Sequence, residues 1–322
     1  MGGFFASATA AGAFVRYIEN PFLRMIMRAH CSDKINRVIS LPLKWIWGRI
    51  CMSGIPVSED DDIYFIFCEG FKMSYSEKFL KYLRRKYRNS KLIHYFRNPL
   101  VAVHAPMAKL WDKLKYLYDA GITFNKSDAD KLGLLYTDYW PCLLPEKHYQ
   151  PENASDVFFI GQAKDRLAQI LAVYERLTDA GLKCDFWITG VTEDKQKYSD
   201  VIHYKTKSSY TWMSYSEIFQ RDKNTKCVLE LLPYGQNYSS LRPCEALWYH
   251  KKLLTTNLNA PSEWFYNPEI VQVFSNASEI DTDFIKKTLT PEDEHRIFDG
   301  MNIGDFNIFA DFIIRNVHRK ES

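Results

Sequence analysis

The 322-residue sequence contains no run of 18 or more apolar residues, so we expect no membrane-spanning helix. It also lacks the GxGxxG fingerprint of dinucleotide-binding proteins and the GxxxxGKS/T motif of P-loop proteins, which excludes the standard forms of both sites. Seven cysteines are present, but none forms a CxxC pair or a cysteine–histidine cluster at metal-ligand spacing. We therefore expect reduced thiols in a reducing compartment and no bound metal.

Neither sign of charge is in large excess. The 42 Lys and Arg residues and the 39 Asp and Glu residues give a net charge of +3, which argues against a nucleic-acid-binding protein. The apolar first residues have no basic stretch before them, so we do not expect a signal peptide. The apolar fraction of 46% is sufficient for folded cores, and the length suffices for two domains. These features predict a cytoplasmic protein.

Cations and aromatic residues are concentrated in residues 16–49, where seven Lys and Arg residues face only two acidic residues. Apolar residues, including Trp45 and Trp47, lie between the cations. This pattern favours helices that lie in the headgroup layer of an anionic membrane, at the inner face of the plasma membrane. The alternative is a helical collar that packs on the next domain, because Pro42 interrupts any long amphipathic face.

From residue 61 onward, short apolar stretches typical of buried strands alternate with amphipathic helical patterns. This alternation predicts an α/β fold with parallel sheets that are covered by helices. Three prolines, Pro141, Pro145 and Pro151, interrupt the pattern before it restarts. The sequence therefore predicts three parts: a basic aromatic segment at 1–60, an α/β domain at 61–150 and a second α/β domain at 151–322.

Residues 105–121 read as one helix that ends at Gly121, because glycine commonly follows the last turn of a helix. Residues 306–317 read as a closing helix of the second domain.

The stretch LLPYGQNYSSLRPCEALWYHKKLLTTN, residues 231–257, passes from a strand-like run through a small polar loop into a helix. In an open parallel sheet such a loop lies at the carboxyl end of a strand, where ligands bind. Ser239 or Ser240 can cap the helix, and Arg242 with the first backbone N–H groups suits a phosphate. Glu245, one turn further on, suits a ribose diol. The alternative is that Arg242 and Glu245 pair with each other.

A second candidate diphosphate-binding set follows the first strand of the second domain. The segment FFIGQAKDR places Gly161, Lys164 and Arg166 after the strand, where a small residue and two cations suit a pyrophosphate. Ordinary surface charge at a helix start is the alternative. Tyr215 lies at another junction between a strand and a helix, and it can either flank a base or pack in the core.

The segments VFFIGQAKDRLAQILAVYERLTDAGLKCDFWITG and CVLELLPYGQNYSSLRPCEALWYHKKLLTTN resemble the donor-binding half of bacterial GT-B glycosyltransferases that build lipopolysaccharide and capsular polysaccharide. FRNP and GITFNKSDADKLGL resemble their acceptor half. The resemblance implies two Rossmann-like domains facing across a cleft, with a nucleoside-diphosphate-sugar donor bound mainly by the second. It also implies a glycan or lipid-linked acceptor, membrane association and no required metal.

Many retaining enzymes of this group carry two glutamates separated by seven residues. Glu245 matches the second, but Asn237 occupies the position of the first, which leaves retaining or inverting chemistry open. Gln236 and Asn237 are candidates for orienting the sugar or the base. Glu69 and His104 are candidates for the catalytic base.

Two other functions stay open at this point. The first is an enzyme that modifies the sugar of a nucleotide sugar, such as an epimerase, although the absent glycine fingerprint argues against a dinucleotide user. The second is a non-catalytic scaffold that binds the nucleotide but lacks a base.

Overall fold

A computed structural model gives the fold of the chain. It describes residues 20–32, 35, 38, 39, 41–43, 45–54, 58, 60–68, 72–100, 105–137, 155–206, 213, 215–234, 236, 238–299 and 306–317. Two compact units divide this part of the chain. The described residues up to 137, together with residues 307–317, form the first unit, and those from 155 to 306 form the second. Helices and strands are numbered below over the described residues only.

The first unit combines two leading helices with a parallel sheet. The leading helices are α1 (Pro21–His30) and α2 (Trp45–Met52). The alternating part consists of β1 (Tyr64–Cys68), α3 (Glu77–Lys86), β2 (Lys91–Phe96), α4 (Ala105–Leu114), β3 (Ala120–Thr123), α5 (Lys126–Leu132) and β4 (Leu135–Tyr136). The four strands are parallel and lie in the order β1-β2-β3-β4, so they follow chain order.

The last helix of the described residues belongs mainly to this first unit rather than to the second. It is α11 (Phe306–Asn316), and the unit boundary follows its first residue. Phe309 is fully buried and lies against Tyr95 of β2, with ring centroids 5.1 Å apart. The sequence pattern showed that a helix was present, but it did not show which sheet would bury its apolar face.

The predicted helix over residues 105–121 is shorter in the structure. The helix α4 ends at Leu114, and Gly121 lies inside strand β3. A Cβ atom at Gly121 would lie 2.5 Å from Leu134 and 2.6 Å from Trp111. This glycine therefore permits close packing on the sheet and does not end a helix.

The second unit contains a six-stranded parallel sheet. Its elements are β5 (Ser155–Gln162), α6 (Leu167–Asp179), β6 (Cys184–Thr189), β7 (His203–Lys205), α7 (Tyr215–Asn224), β8 (Thr225–Glu230), α8 (Arg242–Trp248), β9 (Lys252–Thr255), β10 (Val271–Val273), α9 (Thr282–Lys286) and α10 (Pro291–Phe298). The strand order is β10-β9-β8-β5-β6-β7, which reverses between β5 and β8. Two parallel-sheet α/β units confirm the predicted fold class.

The helix α6 shows how the sequence pattern builds this second core. Ile170, Tyr174 and Leu177 recur every three or four residues and are buried against the strands β5 and β6. Full burial of such a side chain contributes about 1.5–3 kcal/mol. The helix ends as predicted, because Gly181 adopts a φ of +78° that a residue with a Cβ rarely takes.

Two observations concern the described residues as a whole. Five described cysteines are free thiols: Cys31, Cys68, Cys184, Cys227 and Cys244. Within the same part of the chain, no helix combines the length and the apolar character that crossing a bilayer requires.

Candidate functional site

A cavity of about 280 Å³ opens at the carboxyl ends of β5 and β8. These are the two strands between which the strand order reverses. Open parallel sheets bind ligands at this point, because the connections on either side leave for opposite faces and a crevice remains. Three cations and two carboxylates are among the residues that line the cavity: Lys164, Arg166, Arg242, Glu230 and Glu245.

The turn after β5 brings Gly161, Lys164 and Arg166 together. Lys164 is exposed and has a φ of +47°, a conformation that costs a residue with a side chain about 1–2 kcal/mol. Arg166 folds back, so that its Nε and one terminal nitrogen donate to the carbonyl of Gln162 over 3.2 and 3.0 Å. A Cβ at Gly161 would lie 3.1 Å from that guanidinium, so the glycine makes room for it. Burial lowers the pKa of Arg166 to about 10, which leaves it charged at neutral pH.

On the opposite wall, Arg242 and Glu245 pair with each other. A terminal nitrogen of Arg242 lies 2.6 Å from Oε2 of Glu245 and 3.6 Å from Oδ1 of Asp222 in α7. Both carboxylate side chains are fully buried, whereas the Arg242 side chain is 15% exposed. Burial, and then the neighbouring charge of Glu245, raises the pKa of Asp222 well above its ordinary range. Both causes favour the protonated form of Asp222.

Glu245 keeps an acceptor that the described residues do not use. Its Oε1 is buried and makes no hydrogen bond within that part of the chain, although the residue lines the cavity. Leaving such an atom without a donor costs about 1–3 kcal/mol or more for a charged group. A ligand hydroxyl in the cavity would satisfy it.

Glu230 organises the loop that forms this wall, and it was not among the site residues predicted from the sequence. Its Oε1 accepts hydrogen bonds from the backbone N–H of Ser240 over 2.6 Å and from the Ser240 hydroxyl over 2.8 Å. Its Oε2 accepts from the hydroxyl of Thr255 over 2.6 Å. The sequence did contain a signal for this role, since Glu230 is an acidic residue at the end of an apolar strand. A carboxylate buried at such a position needs hydrogen-bond donors around it.

The hydroxyl groups of the two candidate capping serines both bond to protein groups. The Ser240 hydroxyl accepts a hydrogen bond from the backbone N–H of Arg242 over 3.2 Å, although Leu241 occupies the N-cap position itself. The Ser239 hydroxyl accepts from Nδ2 of Asn257 over 2.8 Å. These serines therefore hold the loop in place.

Of the remaining predicted site residues, one lines the cavity. Gln236 lines the cavity and donates from Nε2 to the carbonyl of Tyr238 over 3.0 Å. Tyr215 is the first residue of α7, and its side chain lies outside the described part. Three further candidates lie outside the described residues: Glu69, His104 and Asn237.

Among the described residues, no group of three or more His, Cys, Asp or Glu side chains could hold a metal ion.

No protein-family model and no curated protein matches the sequence. Solved structures with similar folds include TarM, at 12% identity and a TM-score of 0.40 over 81% of this chain and 53% of that chain. A glycotransferase of kitacinnamycin has 12% identity and a TM-score of 0.42 over 97% of this chain and 88% of that chain.

A third similar structure is the Glycosylation Associate Protein (Gap123) complex from Streptococcus agalactiae, at 13% identity and a TM-score of 0.47 over 85% of this chain and 58% of that chain. This chain thus spans about half the length of the TarM chain. At identities this low, the function has to be inferred from the site itself.

Proposed function

We propose that the protein is a glycosyltransferase that moves a sugar from a nucleoside-diphosphate sugar to a glycan or lipid-linked acceptor in surface polysaccharide synthesis. The observation that carries the proposal is the cavity beyond β5 and β8, where three cations surround a space next to the unused acceptor of Glu245. A nucleotide sugar offers both matching groups, since its diphosphate is anionic and its ribose presents hydroxyl donors.

In the proposed reaction, the nucleoside diphosphate gains negative charge as its bond to the sugar breaks. Lys164, Arg166 and Arg242 would stabilise that charge, and we assign the role to these side chains and not to a metal ion. The acceptor hydroxyl must lose a proton if the enzyme inverts, and Glu69 or His104 would take it.

The diphosphate assignment is tested by calorimetric titration with each nucleoside and its mono- and diphosphates. We expect affinity to rise with each phosphate. Lys164→Ala should weaken diphosphate binding at least about tenfold, because a hydrogen bond between charged groups contributes roughly 1.5–3 kcal/mol. Binding of the nucleoside should not change. Lys195→Ala is the matched control, because Lys195 is exposed in the same unit and does not line the cavity. A diphosphate that binds no more tightly than its nucleoside would contradict the assignment.

The ribose assignment is tested with Glu245→Gln, which keeps the shape of the side chain and leaves Asp222 to pair with Arg242. We expect the native chain to prefer a nucleoside diphosphate over its 2′,3′-dideoxy analogue, and the variant to lose most of that preference. Thermal melting by circular dichroism checks that the variant folds. Equal discrimination by both chains would show that Glu245 does not contact the ribose.

Turnover separates the proposed transferase from the two other functions. Release of the nucleoside diphosphate with transfer of the sugar to an acceptor supports the transferase. A changed sugar that remains on the nucleotide supports a nucleotide-sugar-modifying enzyme. Tight nucleotide binding with no turnover of any matching nucleotide sugar supports the scaffold.

A further inference from the structure

Nine of the sixteen large apolar side chains that are exposed in the described residues lie within residues 22–50. They belong to α1, α2 and the residues between these helices: Phe22, Met25, Ile26, Ile35, Val38, Ile39, Leu43, Ile46 and Ile50. Proteins rarely leave a large apolar patch exposed unless it binds something. This concentration in one short segment therefore indicates a binding surface.

The helix α1 has two apolar sides. Leu23 and Met27 pack against the core of the first unit. Phe22, Met25 and Ile26 are exposed by 62%, 59% and 37%, and their centre lies about 130° round the helix from the packed pair, given 3.6 residues per turn. The core thus accounts for one apolar side, and the exposed side suits a helix that lies in a membrane interface.

A groove of about 650 Å³ borders the exposed side of α2. It is lined by Trp45 and Arg49 of α2 and by the following residues of α3: Lys78, Lys81, Tyr82, Arg84 and Arg85. Ile46 and Ile50 each follow one residue after the two groove residues of α2, so they lie about 100° further round the same helix. Apolar and basic surfaces therefore adjoin on α2.

Most of the positive charge in the groove is not neutralised. Lys81 and Arg84 have acidic partners within the first unit. Arg49, Lys78 and Arg85 are exposed and form no ion pair within the described residues. Three such cations beside two aromatic rings form a site for anionic headgroups.

Hydrogen bonds connect α1 to α2. The indole N–H of Trp47 donates to Nδ1 of His30 over 2.8 Å. The other ring nitrogen of His30 then carries the proton and donates to the carbonyl of Pro42 over 2.8 Å. These hydrogen bonds hold α1, Pro42 and α2 together.

We propose that α1, α2 and the groove between α2 and α3 form a docking surface for an anionic phospholipid bilayer. The exposed apolar side chains enter the layer beneath the headgroups, and lipid phosphates enter the groove. Charge selects this occupant, because a second copy of the chain would bring the same cations and a neutral bilayer would leave them uncompensated. The surface is separate from the cavity of the second unit, so the inference does not depend on the proposed function.

Co-sedimentation of the full chain with vesicles tests the groove. We expect binding to phosphatidylcholine vesicles that contain phosphatidylglycerol, and little binding to phosphatidylcholine alone. Lys78→Gln with Arg85→Gln should weaken that binding roughly 25-fold, at about fivefold per cation. The matched control is Lys195→Gln with Lys197→Gln, two exposed lysines of the second unit, which should not alter binding. Equal binding to both kinds of vesicle would overturn the proposal.

The apolar side is tested with Phe22→Ser combined with Ile26→Ser, which should lower vesicle binding at least about tenfold, given about 0.8 kcal/mol per buried CH₂. Val201→Ser with Leu258→Ser changes two side chains that are 51% and 65% exposed elsewhere, and it should have no effect. Two results would argue against a bilayer. One is displacement of the chain from vesicles by glycerol phosphate at the same phosphate concentration, which would indicate a site for free anions. The other is a dimer in solution that the Phe22 and Ile26 changes dissociate.

Discussion

At the scale of single residues, one proton determines the charge of the cluster beside the cavity. Asp222 and Glu245 share the guanidinium of Arg242, and neither carboxylate side chain is exposed. Two buried negative charges around one positive charge would be costly, so the cluster is most stable with one carboxylate protonated. Burial raises the pKa of both carboxyl groups, that of Asp222 well above its ordinary range. Arg242 lies 2.6 Å from Glu245 and 3.6 Å from Asp222, so we assign the negative charge to Glu245.

Asp222→Asn tests this assignment. A carboxyl group with a raised pKa in the folded state costs stability as pH rises above its unfolded pKa of about 4, by up to about 1.4 kcal/mol per pH unit. We therefore expect the variant to gain stability relative to the native chain as the pH rises from about 4 to 7, measured by urea unfolding at each pH. If Asp222 were instead ionised and paired, the variant would lose about 3–5 kcal/mol at neutral pH.

His94 provides a pH dependence of opposite sign in the first unit. It is fully buried in β2, stacked on Phe96 with ring centroids 4.3 Å apart, and burial lowers its pKa to about 3. The folded chain must therefore keep His94 neutral, while the unfolded chain binds a proton below about pH 6.5. Stability from this residue is present above that pH and is lost as the pH falls towards 3.

His94→Leu removes the titrating ring while nearly preserving its volume. Between about pH 6.5 and 5, we expect the native chain to lose up to about 1.4 kcal/mol per pH unit more than the variant, measured by urea unfolding. The comparison isolates His94 because the other seven histidines are common to both chains. Parallel pH profiles would mean that His94 is protonated in the folded state or that water reaches it.

The sequence predicted at which ends of strands and helices the site residues lie, but not which ion pairs and hydrogen bonds they form. The alternating pattern and the small residues beside them predicted that Lys164 and Arg166 follow a strand and that Arg242 lies at the start of a helix. The bonding of Arg242 depends on Asp222, which the packing of α7 brings beside α8 from twenty residues earlier in the chain. A contact of this kind leaves no periodic signal in the sequence.

At the scale of secondary-structure elements, Gly48 determines how α2 packs on α3. A Cβ at this position would lie 2.0 Å from the ring of Phe79, which is fully buried. Alanine would otherwise be favoured inside a helix by about 1 kcal/mol. The glycine thus allows α2 to approach α3, and this approach shapes one wall of the basic groove.

We expect Gly48→Ala to lower the free energy of unfolding by about 1–3 kcal/mol, because an overpacked core outweighs the gain in helix propensity. Binding to anionic vesicles should fall with it. Gly54→Ala is the control: Gly54 has a φ of +71° but open space around its Cβ position, so the variant should lose only about 1–2 kcal/mol and keep vesicle binding. Normal stability of Gly48→Ala would mean that α2 packs elsewhere.

Strands and helices with long or regular apolar patterns were predicted from the sequence, and several short ones were missed. Buried apolar runs identified β1, β2, β5 and β6, and the spacing of apolar residues identified α6. The short strands β4 and β7 and the helices α9 and α10 were not predicted. For α10 a signal existed, since Thr290 and Asp293 form a capping box before an apolar pair and Pro291 follows the cap. The predicted helix end at Gly121 was wrong, because glycine occurs both after helix ends and at positions of close packing, and here it packs closely within β3.

At the scale of the whole molecule, the two units are not two consecutive parts of the sequence. The strands β1–β4 and residues 307–317 form one unit, although the entire second sheet lies between them in sequence. Sequence patterns show that α11 has an apolar face, but two sheets with apolar faces were available to bury it. The packing of Phe309 against Tyr95 shows that α11 covers the first sheet.

Phe309→Ala tests whether α11 is part of the first unit. We expect a loss of about 3–5 kcal/mol, because the fully buried ring leaves a cavity beside β2. Hydrogen exchange followed by mass spectrometry should show the loss of protection in β1–β4, while β5–β10 keep theirs, since local stability follows the unit that loses contacts. Ile314→Ala, in the same helix but 54% exposed, should leave both sheets unchanged. Loss of protection confined to β5–β10 would assign α11 to the second unit, and equal loss in both sheets would mean that the chain unfolds as a single cooperative body.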